Sequence, residues 1–425
     1  MRHLTCLLLL ACGAGTSTLN ATPLSLAYDL EGPGISIVQG GVGLQGWKKE
    51  PRKIVVNVPA SVELALLYWA GRDHPCSPDA ETGVCGIPTE PEEPYRDQVI
   101  QLDGVSLTGT VIGTELQPDT NRGPVLNIAY MADVTDVVAV RGTGKLSFTI
   151  ADGDPGSNLT DINGAGLLVV TSDPGLPAAR VIVFHGLDFA YGEDRTPGPT
   201  QITEAITFNH GAARTGRTGA LVLFVGDDGS KGPDRIDVSP THPKLLDRVD
   251  GSAGASWDAD RFSVQVPLGN LATTVRIVSE PWGKNPDSML WVMAAMWLPQ
   301  PVPSGCAPAY WHRDQEQWKY PGLPPSQKLR FIFPATMAYG DVAETTLRAA
   351  FVFSDDGGLL GAVRSLVKEG GAAMLNSAHF KIEYPMTRTQ VLTRVGEVLK
   401  SGDEALMRAF AAELQAWNRA GCPLR

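Results

Sequence analysis

Apolar and polar residues alternate differently in the two parts of the chain. In residues 24–299, short apolar runs are separated by turns that contain Gly, Pro, Asn and Asp, which is typical of antiparallel strands. In residues 306–425, apolar residues recur every three or four positions, as at Phe410, Leu414 and Trp417, which indicates amphipathic helices. The pattern predicts a mainly β fold, an antiparallel, jelly-roll-like sandwich followed by a small α-helical domain. It leaves open whether the β region is one large sandwich or two packed ones.

Local signals predict where these elements begin and end. The Pro-rich segment 300–305 cannot join a sheet, so it is predicted to link the β region to the helical module. Residues 358–378 are predicted to form the longest helix, which the pair Gly370-Gly371 is expected to weaken or kink. Residues 387–390 and 401–404 match the capping box, with Thr or Ser first and Gln or Glu last, so each is predicted to open a helix.

Composition limits the class of protein. Of the 425 residues, 43% are hydrophobic and 19% are charged, which describes a globular chain with enough apolar residues for a core. The formal net charge is −11. Because binding to phosphates requires a basic surface, nucleic acid is not expected as a partner.

The N-terminus has the features of an export signal. Arg2 and His3 precede an apolar run that ends at Ala11 and is too short to span a bilayer. Two processing routes remain open, namely cleavage after Ala21 and lipidation of Cys12, which follows a Leu-Leu-Ala sequence similar to that of bacterial lipoproteins. Residues 1–21 are therefore predicted to be a signal peptide. The mature protein is predicted to be extracellular or a lipoprotein of the outer membrane or cell surface, touching the membrane only through that lipid.

Cysteine usage agrees with export to an oxidising compartment. Beyond the signal segment the chain has Cys76, Cys85, Cys306 and Cys422. Three pairings are possible, and proximity favours Cys76 with Cys85 and Cys306 with Cys422. A zinc site is the competing interpretation, but no cysteine pair has the close spacing of a zinc knuckle and no histidine pair accompanies them. Disulfides are therefore predicted.

The β region contains five distinctive segments, namely Tyr68-Trp69, Ala132-Asp-Val-Thr-Asp, Gly142-Thr-Gly, Gly164-Ala-Gly-Leu-Leu-Val-Val and Val181-Ile-Val-Phe-His-Gly. Together they resemble a domain of unknown function in prokaryotic secreted and cell-surface proteins. The resemblance covers residues 50–300 and implies a surface β-sandwich. It implies no catalytic residue, because these segments mark turns and core strands.

A second set of segments lies in the helical part: Cys306, Tyr310-Trp311, Leu375-Asn-Ser-Ala-His, Tyr384-Pro385, Ser401-Gly-Asp and Gly421-Cys-Pro-Leu. This set resembles a C-terminal module of exported bacterial proteins. The chain departs from that module at Ala309, where a Gly usually precedes Tyr-Trp. The resemblance implies a structural or interaction role and no known chemistry.

One loop has the composition of a calcium site. Asp152, Asp154, Asn158, Asp161 and Asn163 place three carboxylates and two amides within twelve residues. Ca²⁺ prefers several oxygen ligands from a flexible loop, so it is the one candidate cofactor. The spacing does not match an EF-hand, and the competing interpretation is a turn-rich loop whose Asp and Asn side chains bond to their own backbone.

Other chemical candidates are few. The sequence has no Gly-x-Ser-x-Gly, His-Glu-x-x-His or phosphate-loop motif. His185 and His379 occur singly, which is more typical of hydrogen-bonded structural groups than of a base or a metal ligand. Trp47, Trp257 and Trp282 lie in Gly- or Pro-containing loop contexts, so they are predicted to be exposed and are candidates for a sugar-stacking surface.

These features favour a non-enzymatic exported protein of the cell envelope or surface. Its predicted role is structural, adhesive or ligand-binding, with a glycan or a surface protein as partner. The alternative is a secreted hydrolase that acts on polysaccharide through carboxylates of the β-sandwich, because the two carboxylates of a glycosidase can be far apart in sequence. Acidic residues with perturbed pKa values in a cleft beside exposed tryptophans would favour the hydrolase.

Overall fold

The structure, a computed structural model, describes residues 22–44, 52–75, 97–120, 123–152, 162–191, 201–227, 234–240, 242–246, 252–254, 256–279 and 288–424. The predicted signal segment with Cys12, the pair Cys76 and Cys85, and the residues Trp47 and Trp282 lie outside the described residues.

The described residues form eighteen strands, and all of their pairings are antiparallel. In chain order the strands are β1 Thr22–Pro33, β2 Ser36–Gly43, β3 Arg52–Val58, β4 Ser61–Pro75, β5 Val99–Leu102, β6 Val105–Thr108, β7 Thr110–Thr120, β8 Gly123–Asp133, β9 Gly144–Asp152, β10 Ile162–Ser172, β11 Ala178–Tyr191, β12 Ile206–Asn209, β13 Arg217–Asp227, β14 Asp234–Ser239, β15 His242–Leu246, β16 Trp257–Val266, β17 Ala272–Ser279 and β18 Ser288–Pro299.

Eight α-helices accompany these strands in the described residues, and seven of them follow β18. They are α1 Thr135–Ala139, α2 Pro308–Arg313, α3 Leu329–Ile332, α4 Asp341–Glu344, α5 Leu347–Ala350, α6 Gly358–Ala378, α7 Arg388–Ser401 and α8 Glu404–Asn418. None of these helices combines the length and the apolar character needed to cross a bilayer. The prediction of a β-rich chain with a small helical part at its C-terminal end is confirmed.

The strands form four sheets that stack as layers in the described residues. The two outer sheets have the strand orders β3-β9-β5-β6 and β12-β17-β14-β15, and the two inner sheets have the orders β2-β10-β4-β8-β7 and β1-β11-β18-β13-β16. Alternating residues of β4 show the stacking, because Trp69 packs with Phe148 of the first outer sheet while Tyr68 packs with Phe224 of the other inner sheet. The inner sheets are therefore covered on both faces, which explains the nearly continuous burial of β10 and β18.

The strand order shows two jelly rolls joined in tandem. In the first, β2-β10-β4-β8 faces β3-β9-β5-β6; in the second, β11-β18-β13-β16 faces β12-β17-β14-β15. Numbered within each unit, both have the orders 1-8-3-6 and 2-7-4-5, which is the eight-stranded jelly-roll topology. Two strands are additional to this repeat, since β7 extends the first unit beside β8 and β1 covers the β11 edge of the second. The β region is thus two packed sandwiches.

The helical module packs around α6, and its core is separate from those of the sheets. The helix α6 continues through Gly370 and Gly371 without interruption. A Cβ atom on Gly371 would lie 2.7 Å from Leu347 Cδ1 and 3.0 Å from Phe351 Cε1. The glycine pair therefore allows neighbouring elements to approach the helix closely, which offsets its weak helix propensity.

The helix caps follow the sequence signals in one case and differ in the other. The capping box that opens α7 is confirmed, because Thr387 accepts from the Gln390 amide and the Gln390 side chain accepts from the Thr387 amide. The second predicted capping box is wrong. Ser401 is the last residue of α7, and the N-cap of α8 is Asp403, whose carboxylate accepts from the Leu406 amide. Asp and Ser are about equally effective as N-cap residues.

Candidate functional site

The predicted exposure of Trp257 is wrong. Its side chain is fully buried in the core between the two inner sheets, where its ring centroid lies 6.3 Å from that of Phe224. A Cβ atom on Gly164 would lie 2.4 Å from Trp257 Cβ, so the glycine leaves the space that the Trp257 side chain fills. The tight turn before β16 brings this residue inward, and Trp257 cannot belong to a sugar-stacking surface.

The candidate calcium loop is described only at its two ends. Asp152 is the last residue of β9, and Asn163 is the second residue of β10; Asp154, Asn158 and Asp161 lie outside the described residues. Asn163 is buried in a strand and its carbonyl accepts from the Leu44 amide at 2.9 Å. Calcium binding by this loop stays a prediction. Within the described ranges, no three His, Cys, Asp or Glu side chains are grouped as metal ligands.

Polar side chains lie along the crossing of β7 of the first jelly roll and β11 of the second, where His185 contacts Tyr68, and Asp188 acts on Glu115, which is opposite Asn127. We call Tyr68, Glu115, Asn127, His185 and Asp188 the junction cluster. The two strands approach closely, because a Cβ atom on Gly113 would lie 2.5 Å from the Leu187 amide nitrogen. A register shift in the β11–β18 pairing falls between His185 and Asp188. This irregularity of β11 places both side chains at the junction.

Asp188 is buried, and both of its carboxylate oxygens accept backbone hydrogen bonds. Oδ1 accepts from its neighbour Phe189 at 2.8 Å, and Oδ2 accepts from the Glu204 amide at 2.7 Å. Burial nevertheless raises the pKa of Asp188 to about 6, an effect that the negative charge of Glu204 increases and the two backbone hydrogen bonds oppose. Asp188 therefore holds the turn before β12 in place while it remains a carboxylate of unusually high basicity.

Glu115 and His185 are both uncharged at neutral pH. Burial, and then the charge of Asp188, raise the pKa of Glu115 to about 8. Burial lowers the pKa of His185 to about 4, and its Nδ1 lies 3.4 Å from the Tyr68 hydroxyl. The cluster thus combines a protonated carboxyl group with an ionised one, which is the combination that general acid–base chemistry uses.

The sequence signals for this cluster were weak. The sequence marks His185 only as a single histidine, and it gives no signal that distinguishes Glu115 or Asn127. They are directly opposite each other in the β7–β8 register, so their side chains share one face of the sheet. A polar residue at an inward-facing strand position is the signal that could have identified them, but it becomes visible only when the register is known.

The motif residues of the helical module form a buried hydrogen-bond network. Asn376 is its centre: Oδ1 accepts from the Cys306 amide at 2.9 Å and from Trp311 Nε1 at 3.0 Å, and Nδ2 donates to the Cys306 carbonyl and to Asn418. The Tyr384 hydroxyl also donates to Asn418. The predicted Cys306–Cys422 disulfide is confirmed and closes the same region. These residues are fully bonded to one another, so their role is structural.

An exposed group of aromatic rings lies on the helical module. We call Tyr320, His379 and Phe380, with Lys319 and Lys381, the aromatic face. Tyr320 is 48% exposed and Phe380 is 45% exposed, whereas His379 is buried beneath them. The His379 and Phe380 rings stack at 5.2 Å with an interplanar angle of 14°, and Tyr320 contacts both rings edge-on at 5.2 Å. The Nζ atoms of the two lysines lie 5.1 Å from the Tyr320 centroid and 5.7 Å from the Phe380 centroid.

His379 fixes the geometry of this face. Its Nδ1 accepts from the Lys381 amide at 3.2 Å, and its Nε2 lies 3.3 Å from the Gln317 side-chain oxygen. Burial lowers the pKa of His379 to about 4, with further contributions from Lys381 and Arg214, so the imidazole is neutral at physiological pH. The two lysines are then the positive charges among these five side chains.

The chain matches no protein-family model. It matches no curated protein either. Among solved structures, an uncharacterized protein from Listeria monocytogenes EGD-e is 11% identical with a TM-score of 0.17, over 57% of this chain. The chain spans 19% of that protein. A similarity of this size supports no inference about fold or function, so the functional argument rests on the geometry above.

Proposed function

We propose that the protein is a non-enzymatic, exported surface protein that binds a glycan through the aromatic face. The single observation that supports this proposal is the exposure of Tyr320 and Phe380 in a fixed arrangement. Large exposed aromatic side chains in a soluble protein are typical of interaction sites. The two packed jelly rolls then serve as a rigid support for the helical module.

The arrangement suits a sugar ring for two reasons. The apolar C–H face of a sugar packs against an aromatic ring, and rings that are already held in place lose little conformational entropy on binding. Lys319 and Lys381 add two positive charges at the same face of a protein whose formal net charge is −11. Local positive charge in an acidic protein favours sugars that carry carboxylates. We therefore propose an acidic glycan, such as a polymer containing uronic acids, as the ligand.

The protein offers a matched control for testing this face. Phe331 is also exposed, at 64%, and also has a cation above its ring, since the Arg330 guanidinium carbon lies 4.8 Å from its centroid. We expect Phe380→Ala to weaken binding to an oligouronate by about 1 kcal/mol or more, which is about fivefold in Kd. Phe331→Ala should leave the affinity unchanged. Titration calorimetry measures both, and equal affinities for wild type and Phe380→Ala would remove this face as the binding site.

The junction cluster supports a second candidate function, a polysaccharide hydrolase. A carboxyl group with a pKa of about 8 near a carboxylate with a pKa of about 6 favours the alternative, a polysaccharide hydrolase. Two observations favour binding instead, because both Asp188 oxygens already accept backbone hydrogen bonds and Trp257 is buried. Release of reducing ends from an acidic polysaccharide by wild type, and its loss in Glu115→Gln, would establish the hydrolase and overturn the non-enzymatic role.

A further inference from the structure

We propose that Glu115, Asn127 and Asp188 of the junction cluster bind a calcium ion between the two jelly rolls. This site is distinct from the loop at residues 152–163 and is independent of glycan binding at the aromatic face.

Asn127 is fully buried, and neither its amide nitrogen nor its amide oxygen has a hydrogen-bond partner. Oε2 of Glu115 is also buried without a partner. A buried polar group without a partner costs on the order of 1–3 kcal/mol, and almost all such groups in folded proteins are bonded to something. The two unpartnered oxygens of this opposed pair, Asn127 Oδ1 and Glu115 Oε2, therefore indicate that a cation completes the site, and a water molecule bound to it would accept from the Asn127 amide nitrogen.

Glu115 and Asn127 lie on one face of the first inner sheet. Glu115 and Asn127 are a directly opposed pair in the β7–β8 register, so both side chains lie on the face that meets the other inner sheet. On that face, β7 packs against the segment of β11 that contains Leu187 and Asp188. The negative charge of Asp188 also raises the pKa of Glu115, as expected for carboxyl groups on strands that pack together.

The electrostatics of the cluster favour a cation. The charged neighbours that act on Glu115 and Asp188 are themselves acidic, namely Asp188 and Glu204. Elsewhere in the described residues, carboxylates such as Asp29, Asp103 and Asp237 are paired with arginines. A bound cation would supply the missing positive charge and would remove the repulsion between the two carboxylates.

The donor atoms select calcium among the common cations. The site offers two carboxylates and an amide oxygen, whereas His185 is directed at the Tyr68 hydroxyl. Hard oxygen donors with variable geometry are typical of Ca²⁺, whereas zinc sites in proteins are built mainly from His nitrogen and Cys sulfur ligands. Because only three side chains contribute and water must complete the shell, we expect a dissociation constant of about 10⁻⁴–10⁻³ M, as in extracellular calcium modules. The partial exposure of Glu115 and His185 gives the ion an entry path.

Terbium luminescence tests the site directly, because Tb³⁺ replaces Ca²⁺ and is excited by aromatic rings close to its binding site. We expect wild-type protein to show Tb³⁺ emission that Ca²⁺ displaces, and Glu115→Gln to lose most of it. Asp154→Asn, a matched control in the candidate loop at residues 152–163, should keep the emission. Emission that survives Glu115→Gln and disappears in Asp154→Asn would overturn the proposal and place the ion in the loop.

A thermal measurement covers the case in which Glu115→Gln does not fold. Millimolar Ca²⁺ should raise the Tm of wild type by a few degrees, on the order of 3 °C, relative to EDTA. Asn127→Asp adds a third carboxylate, so it should lower the Tm in EDTA and enlarge the rise with Ca²⁺. If Ca²⁺ leaves the Tm of both proteins unchanged, no calcium binds at this junction and the proposal is wrong.

Discussion

Removal of the Cys306–Cys422 bond should destabilise the helical module and leave the jelly rolls folded. The bond joins residues that are 116 positions apart and encloses every helix from α2 to α8. A crosslink over such a loop restricts the unfolded chain, and loop-entropy scaling gives a stabilisation of about 5 kcal/mol. Cys422→Ser removes this effect, whereas the Asn376 hydrogen bonds to the Cys306 backbone remain possible. We therefore expect a folded but much less stable module.

The assay follows the two parts separately. Circular dichroism at 222 nm reports mainly on α6, α7 and α8, and tryptophan fluorescence reports in large part on the buried Trp69, Trp257 and Trp291 of the sheets. In urea, Cys422→Ser should move the helical transition to a much lower concentration and leave the fluorescence transition of the sheets in place. Wild type with a reducing agent and the double variant Cys306→Ser/Cys422→Ser should behave like Cys422→Ser, because all three lack the same bond.

One result would refute this reasoning. If both signals shift together in Cys422→Ser, the helical module and the sheets unfold as one cooperative unit. The structure provides a route for such coupling, because Arg214 Nη1 lies 3.4 Å from each of the Asn376, His379 and Ile382 carbonyls and its backbone amide donates to Glu383 at 2.5 Å. We expect separate transitions because these contacts are few compared with the core of either part.

Three further predictions concern single residues. Glu115→Gln should remove part of the pH dependence of the free energy of unfolding. Because the pKa of Glu115 is raised to about 8, its contribution to stability is fully present below about pH 4.5 and is lost as the pH rises through about 8. The expected loss is on the order of 3–5 kcal/mol. Urea unfolding in EDTA at pH 5 and pH 8 measures it, and an equal decline in the variant would contradict this role. Arg214→Ala should weaken docking of the helical module onto the sheets by about 1–2 kcal/mol. The thermal transitions of the helical module and of the sheets should then lie further apart than in wild type, and Arg214→Lys should keep part of the docking energy. Gly371→Ala should destabilise the protein by about 1–3 kcal/mol because the new Cβ atom would contact Leu347. Gly396→Ala in α7 should stabilise the protein by about 0.5–1 kcal/mol because no atom lies within 4 Å of the new Cβ atom. A higher Tm for Gly371→Ala than for Gly396→Ala would refute the packing argument.

Much of the secondary structure could be predicted because periodicity is local. The helix at residues 358–378 begins and ends where its pattern predicts, and the runs around Leu67 and Val169 are buried strands. The sequence pattern does not predict the N-terminal strand β1, although Leu24, Leu26 and Tyr28 alternate with small polar or apolar residues. Its low charge and its neighbouring glycines concealed a strand that is stabilised mainly by pairing with β11.

The tandem arrangement could not be predicted, because it depends on strand pairing between residues far apart. The segments that begin at Gly166 and Gly219 are similar in sequence, yet they lie in β10 and β13, which occupy different positions in their jelly rolls. Sequence similarity between them reflects only burial on both faces of an inner sheet. The two jelly rolls share their strand order but not their side chains, so no sequence pattern within the chain reveals the repeat.

The junction cluster lies where the two strands outside the repeat meet. β7 carries Glu115, and β1 pairs with β11 so that Ser25 is opposite His185; β1 and β7 also contact each other. The units of the tandem repeat could pack their inner sheets with an entirely apolar core, as they do around Phe224 and Trp257. Polar residues instead occur at the one edge that both added strands cover. Buried polar groups that lower stability are expected at functional sites. This edge is therefore where binding of an ion or a proton can couple the two jelly rolls.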